Sequence, residues 1–271
     1  MINSKVVFLL LALVACAIGC ATSPTGRSQF LMNSEIEMAE MGSAAFADIQ
    51  SNTPRSVNTA QTAYVQCVAG AITAILTPEE LRPIAVDRWE VELFEDPTAN
   101  AFALPGGKMG VHTGLLVVAV TPSQLAAVLG HEVGHVLARH GNERVSQTTI
   151  VESGISAVQV LVGADTPAKE QLFGALGIGM QYGVLMPFSR AQESEADEIG
   201  VELMARAGFD PRESITLWQN MARASGGQAP PEFMSTHPSN ATRISLLKAS
   251  MSKALPLYEQ SVAAGIKPNC R

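Results

Sequence analysis

"VLGHEVGHVLARHG", residues 128–141, decides how this chain is read. Two histidines, His131 and His135, stand four apart, and Glu132 follows the first. Four residues along an α-helix is just over one turn, so both imidazoles leave from one face. Each can turn a neutral nitrogen toward one Zn2+ at about 2.0–2.1 Å. Glu132 lies ~100° round the helix, poorly placed as a ligand. It is well placed to take a proton from an attacking water and return it to a leaving amine. The alternative, a solvated polar face, fits poorly because "LAAVLG" before and "VLA" after are apolar. Burying these three residues without a metal or partners would cost several kcal/mol. Gly130 and Gly134 beside the histidines leave room for another element to pack close.

Working outward, Thr121-Pro122-Ser123 opens this helix, with Thr121 as cap and proline in the first turn. The pattern predicts a helix from about Ser123 to His140, stopped by Gly141. His140 then reads as a structural residue at the helix C-terminus. A third ligand must come from elsewhere, and "ESEAD" on a predicted helix over 190–207 offers Glu193, Glu195 and Asp197. Glu193 and Asp197 are four apart and share a face. Asp197 is suited to holding the outer N–H of a histidine. An acidic first turn favoured by the helix dipole is the plain alternative, and spacing leaves both Glu193 and Glu195 open as ligand.

Upstream, "NSEIEMAEMGSAAFADIQ" and "TAYVQCVAGAITAI" have helical spacing, with Asn33 or Ser34 as the first N-cap. "RWEVELFED" and "MGVHTGLLVVA" read as strands joined by the loop "DPTANAFALPGGK". His112, on the second of them, reads as a packing or surface residue. Residues 145–188 hold two glycine-sprinkled apolar stretches, each shorter than the ~20 residues of a membrane span; they read as a helical hairpin. Helices follow at "PFSRAQESEADEIGVELMARAG", at "DPRESITLWQNMARAS" and from about Ala241.

The chain has 271 residues, 47% hydrophobic and 16% charged, enough for one large domain or two small ones with a sizeable core. A net charge of −7 and a pI near 5.3 argue against a nucleic-acid partner. "LPGGKMG" lacks the spacing of a phosphate-binding loop. At the N-terminus, Lys5 and "VVFLLLALVACAIG" form an apolar run of signal-peptide length ending in cysteine. This pattern suggests a lipoprotein signal over residues 1–20. Cys16 competes as the lipidated residue, but Cys20 is preferred because the polar run "ATSPTGRSQ" starts directly behind it. Residues 21–33 then read as a tether and 34–271 as the folded domain. Cys67 and Cys270 remain as a disulfide candidate in an exported, oxidising setting.

Taken together, "HEVGH", "SRAQESEAD" and "NAFALPGG…HTGLL" resemble the HtpX/CAAX-protease type of zinc metallopeptidase, in its LoiP/BepA-like periplasmic lipoprotein branch. The resemblance covers roughly residues 21–250. It implies an α+β, mostly helical, gluzincin-type fold with a small β-sheet next to the active-site helix. It further implies one Zn2+ per chain held by His131, His135 and Glu193, with Glu132 as base. Glu193 is selected because the family's ligand stands four before the aspartate of its ExxAD element, here Asp197. The strand at Met109, Gly110 and Val111 is expected to border the cleft and pair with an extended substrate. His237, in "STHPSN", is expected beside the zinc as a catalytic residue, filling the open position at rest or stabilising an oxyanion; Arg243 braces that loop or the substrate. The membrane helices and helical-repeat domain of some relatives are not evident here.

These readings together predict an endopeptidase for misfolded or misassembled exported proteins, lipid-anchored at the periplasmic face of a bacterial outer membrane. The competing expectation is an assembly factor for outer-membrane proteins that holds clients and rarely cuts.

Overall fold

The computed structural model describes residues 20–150, 188–224, 233, 237 and 241–270. The chain divides into two compact units, one of Met1–Ser34 with Gly141–Leu185 and one of Glu35–His140 with Met186–Arg271.

In the first unit, the segment expected as a tether is a folded hairpin. β1 (Cys20–Thr22) pairs antiparallel with β2 (Ser28–Phe30), and Gly26, at φ 91°, makes the reversal. Arg27 reaches Glu143 through two hydrogen bonds of 2.7 Å, and Gln29 Nε2 adds a third of 3.3 Å. Asn142 Nδ2 donates to Asn33 O at 2.7 Å, and Met32 N–H donates to Ser146 Oγ at 2.8 Å. Polar composition with Pro and Gly describes a tether and a tight hairpin equally well, and three-residue strands are too short for alternation to show. The predicted hairpin over 145–188 lies mostly outside the described residues.

The second unit is α+β and mostly helical. Its helices are α1 (Glu35–Asn52), α2 (Thr59–Ala74), α3 (Pro78–Leu81), α4 (Pro122–Leu137), α5 (Arg190–Arg206), α6 (Glu213–Ala224) and α7 (Ala241–Ala263). α2 buries Val65, Val68, Ala69 and Ile72, the i, i+3, i+4, i+7 stripe of an amphipathic helix. Its start is capped by Asn58, whose side chain accepts from Gln61 N–H at 3.1 Å.

Three strands form a sheet ordered β3 (Glu90–Phe94), β5 (Lys108–His112), β4 (Ala101–Leu104). β3 runs parallel to β5, and β4 runs antiparallel to it through the turn at Gly106 and Gly107, which sit at φ 80° and 76°. Two sequence expectations are corrected here. β4 lies inside the stretch read as a loop, because "AFAL" is only four residues long. β5 stops at His112 rather than running on, since Gly114 N–H donates to Asp96 O and the chain winds into a 3-10 turn over Thr113–Val117.

α4 is the central helix, with every residue from Gln124 to Leu137 buried. Thr121 caps it, its hydroxyl accepting from Gln124 N–H at 3.1 Å, and Pro122 fills the first turn. The expected stop at Gly141 is corrected: α4 ends at Leu137, and the left-handed residue is Arg139, at φ 55°. Helical backbone resumes at His140.

α5 crosses α4 at backbone contact. A Cβ on Gly130 would stand 2.8 Å from Gly200 O, one on Gly134 2.9 Å from Ala196 O, and one on Gly200 2.6 Å from His131 N. No side chain fits there, so the two helices approach as closely as their backbones allow. Ser189 and Gln192 form a reciprocal capping box at the start of α5, and Gly208 (φ 82°) ends it. Cys67 on α2 is bonded to Cys270 in the C-terminal tail, with Cα atoms 5.5 Å apart.

Candidate metal centre

The close crossing of α4 and α5 puts the acidic first turn of α5 against the histidine face of α4. His131, His135, Glu193 and His237 each offer one ligand atom, and these atoms all lie within 4.8 Å of one another. His131 Nε2 stands 3.0 Å from His135 Nε2 and 3.6 Å from Glu193 Oε2, while His135 Nε2 stands 3.4 Å from Glu193 Oε1. His237 Nδ1 completes the group, 3.2 Å from His131 Nε2 and 2.9 Å from Glu193 Oε1. Of the two glutamates left open by spacing, Glu193 is the one in the group.

Does this arrangement fit a metal? Ligand atoms around a tetrahedral zinc, bonded at about 2.0–2.1 Å, are separated by about 3.3 Å, and the observed distances scatter about that value. Three imidazole nitrogens and one carboxylate oxygen are a borderline-soft donor set suited to zinc. Glu132 Oε1 is a buried side-chain oxygen with no hydrogen bond, which is costly unless a cation or a water answers it. The residues fit.

The outer nitrogens of the histidines are held as well. His131 Nδ1 is 2.9 Å from Asp197 Oδ1, so Asp197 sits in the position expected of it. Arg243 grips the same carboxylate with Nε and Nη2, both at 2.7 Å, and its guanidinium lies 4.2 Å from the centre of the Trp218 ring. Arg243 Nη1 also stands 2.5 Å from Glu193 Oε2, close enough for an ion pair yet out of line for a hydrogen bond. Its Nη1 donates to His237 O at 3.2 Å, which ties the loop to this network. His135 Nδ1 faces His140 Nδ1 at 2.8 Å, and His140 Nε2 meets Glu195 Oε2 at 3.1 Å.

Electrostatics follows from burial. Loss of solvent raises the Glu132 pKa above its ordinary value, and the nearby Glu193 adds to that against the opposing pull of His237 and His131. Burial would raise Asp197 too, but Arg243 and His131 outweigh it and hold the carboxyl ionised. Glu193 is likewise lowered despite its burial, through hydrogen bonds from His135 and His237 and the charge of His131. Burial drives His135 well down, toward the neutral imidazole a ligand must be.

Some sequence readings need correction. Met109, Gly110 and Val111 lie on β5, whose two edges are occupied by β3 and β4, so no peptide can add there. Among the described residues β4 is the outer strand of the sheet beside the site, and its Ala103 N–H donates to Glu132 Oε2 at 3.2 Å. His140 does not close the central helix, which ends at Leu137; it lies beyond that end, fully buried against His135. His112 lies outside the metal group, buried between Phe94 and Phe102 with Nδ1 2.7 Å from Thr98 Oγ1. Sequence reasoning also missed the walls. The Phe188 ring stacks on His135 at 3.9 Å, and the Phe233 ring on His237 at 4.5 Å. Isolated aromatics carry no pattern that could have revealed them.

Comparison with known proteins accords with this geometry. The profile of peptidase family M48 matches residues 60–251. The chain is 40% identical over 202 residues to mitochondrial metalloendopeptidase OMA1 of Schizosaccharomyces pombe, covering 74% of this chain and 56% of that protein. It is 32% identical over 177 residues to the human mitochondrial metalloendopeptidase OMA1 (63% of this chain, 34% of that protein). It is 30% identical over 176 residues to the β-barrel assembly-enhancing protease of Escherichia coli (62% and 36%). It spans about half or less of the length of these relatives, which are both mitochondrial and bacterial, so they define the family more coarsely than the lipoprotein branch. The profile covers most of the chain, including both histidines of the central helix, Glu193 and His237, and the chain belongs to peptidase family M48.

Proposed function

We propose that this protein is a zinc-dependent endopeptidase. The observation that carries the reading is the buried His131–His135–Glu193–His237 group with Glu132 beside it. When bound, zinc supplies an electrophile that polarises the scissile carbonyl and makes a water molecule acidic. The chain supplies the rest. Glu132 is anchored by the Ala103 N–H through Oε2, leaving Oε1, which makes no hydrogen bond, to receive the proton and return it to the leaving nitrogen. Its raised pKa brings it nearer the range of an efficient general base. The substrate backbone would add along β4, the outer strand among the described residues, in place of the strand first expected, which would bring it beside Glu132. His237, with Nδ1 in the ligand group and Nε2 3.5 Å from Glu132 Oε1, would serve as a fourth ligand at rest and would have to give way to substrate.

The test is Glu132→Gln. It should keep zinc while cutting casein turnover at least 10²-fold, the lower range for losing a general base, and a chelator should abolish turnover of the parent chain. Retention of the cellular role by this variant would favour a holding function instead.

Misfolded or misassembled exported proteins as substrates, and lipid anchoring at the periplasmic face of an outer membrane, are our inference for the whole protein. The "ACAIGC" signal pattern and the Cys67–Cys270 disulfide support an exported, oxidising setting. The bacterial relative's name, a β-barrel assembly-enhancing protease, supports an envelope role.

A further inference from the structure

We propose that His140 and Glu195 form a positioning pair for the zinc ligand His135, fixing its ring and the nitrogen it turns to the metal. The inference rests on the metal reading above.

His140 follows His135 by five residues, and on a continuous helix that places them ~140° apart, on different faces. They meet only because α4 ends at Leu137 and Arg139 turns left-handed at φ 55°. A non-glycine residue in that region carries a conformational cost, and such outliers gather where a site needs them. The reversal folds His140 back until its Nδ1 lies 2.8 Å from His135 Nδ1, in a wholly buried position.

The proton positions then follow by elimination. His135 Nε2 is the nitrogen in the ligand group, and it must present a lone pair, so the proton sits on Nδ1. That N–H donates to His140 Nδ1, which must be an acceptor, so the His140 proton sits on Nε2. It donates in turn to Glu195 Oε2, 3.1 Å away and buried. Each group has one state that satisfies the next, ending in a carboxylate that accepts without needing a proton. The other ligand is held differently, by Asp197 directly. Carboxylate-to-histidine hydrogen bonds of this kind orient metal ligands and strengthen them as donors; here an intervening imidazole carries the contact.

The test is zinc affinity of the full chain, by competition with a chromophoric chelator, with thermal unfolding followed with and without zinc. His140→Ala and Glu195→Ala should each weaken binding about 10–100-fold. Because they act in series, the double variant should be no weaker than the weaker single. Glu195→Gln keeps a carbonyl oxygen for His140 and should lose clearly less than Glu195→Ala. Unchanged affinity in His140→Ala overturns the proposal, as do additive losses in the double variant or equal losses in the two Glu195 variants. A merely structural role would lower the unfolding temperature of the metal-free chain and leave its rise on zinc addition intact, which also overturns it. Should His140→Ala not fold, the two Glu195 variants decide. If the unsubstituted chain binds no zinc, the metal reading itself fails.

Discussion

Asp197 shows how much a single carboxylate does in this site. It accepts from His131 Nδ1 and takes two hydrogen bonds from Arg243, with all three side chains nearly inaccessible to solvent. Asp197→Asn has nearly the same shape but presents an amide nitrogen where Arg243 or His131 needs an acceptor. Breaking one partner of a buried ion pair costs about 3–5 kcal/mol, so urea unfolding of the metal-free variant should show a loss in that range. Zinc affinity should fall about 10–100-fold as well. Unchanged stability would mean that Arg243 finds equal compensation elsewhere. At this scale the sequence was informative where chemistry sets the spacing. His131, Glu132 and His135 were legible from one turn of helix. Glu193 and Glu195 were not separable, because which one faces the histidines depends on the angle at which α5 crosses α4. His140 was misread because Gly141 offered a conventional helix end, while the left-handed turn falls on Arg139, a residue type with no propensity for it.

Among the elements, the α4–α5 crossing matters most. Gly130, Gly134 and Gly200 remove the side chains that would hold the helices apart, and that approach places Glu193 beside the histidines. Gly130 and Gly134 could be read in advance as room for a neighbour; Gly200 could not, since nothing marks which face of α5 meets α4. Gly200→Ala puts a methyl 2.6 Å from the His131 backbone nitrogen. It should cost about 1–3 kcal/mol despite alanine's better helix propensity and weaken zinc binding, because the His131 backbone must shift. A gain in stability would contradict the crossing described here. β4 escaped the sequence reading for the opposite reason: a four-residue strand followed by Pro-Gly-Gly looks like turn throughout.

For the molecule as a whole, one covalent link spans 203 residues. Cys270 fastens the C-terminal tail to α2, and the tail also packs on the turn after α5, where a Cβ on Gly208 would meet Ile266 O at 2.3 Å. Linking such distant positions constrains the unfolded chain strongly, and removing a native disulfide typically costs about 2–5 kcal/mol. Reduction, or Cys67→Ala with Cys270→Ala, should lower the unfolding temperature by that equivalent; no change would show the link to be dispensable. The residues read as a tether are a hairpin beginning at Cys20, so a lipid on Cys20 would join the membrane at folded structure instead of at the end of a loose linker. No described helix is long and apolar enough to cross a membrane.

All of this depends on one metal ion at the α4–α5 crossing. Anomalous diffraction at the zinc edge, from crystals of the full chain, tests that directly. The account predicts a single strong peak per chain, bonded to His131 Nε2, His135 Nε2, a Glu193 carboxylate oxygen and, with no substrate present, His237 Nδ1, with Glu132 near it but not bonded. No peak, or a peak away from Glu193, would contradict it.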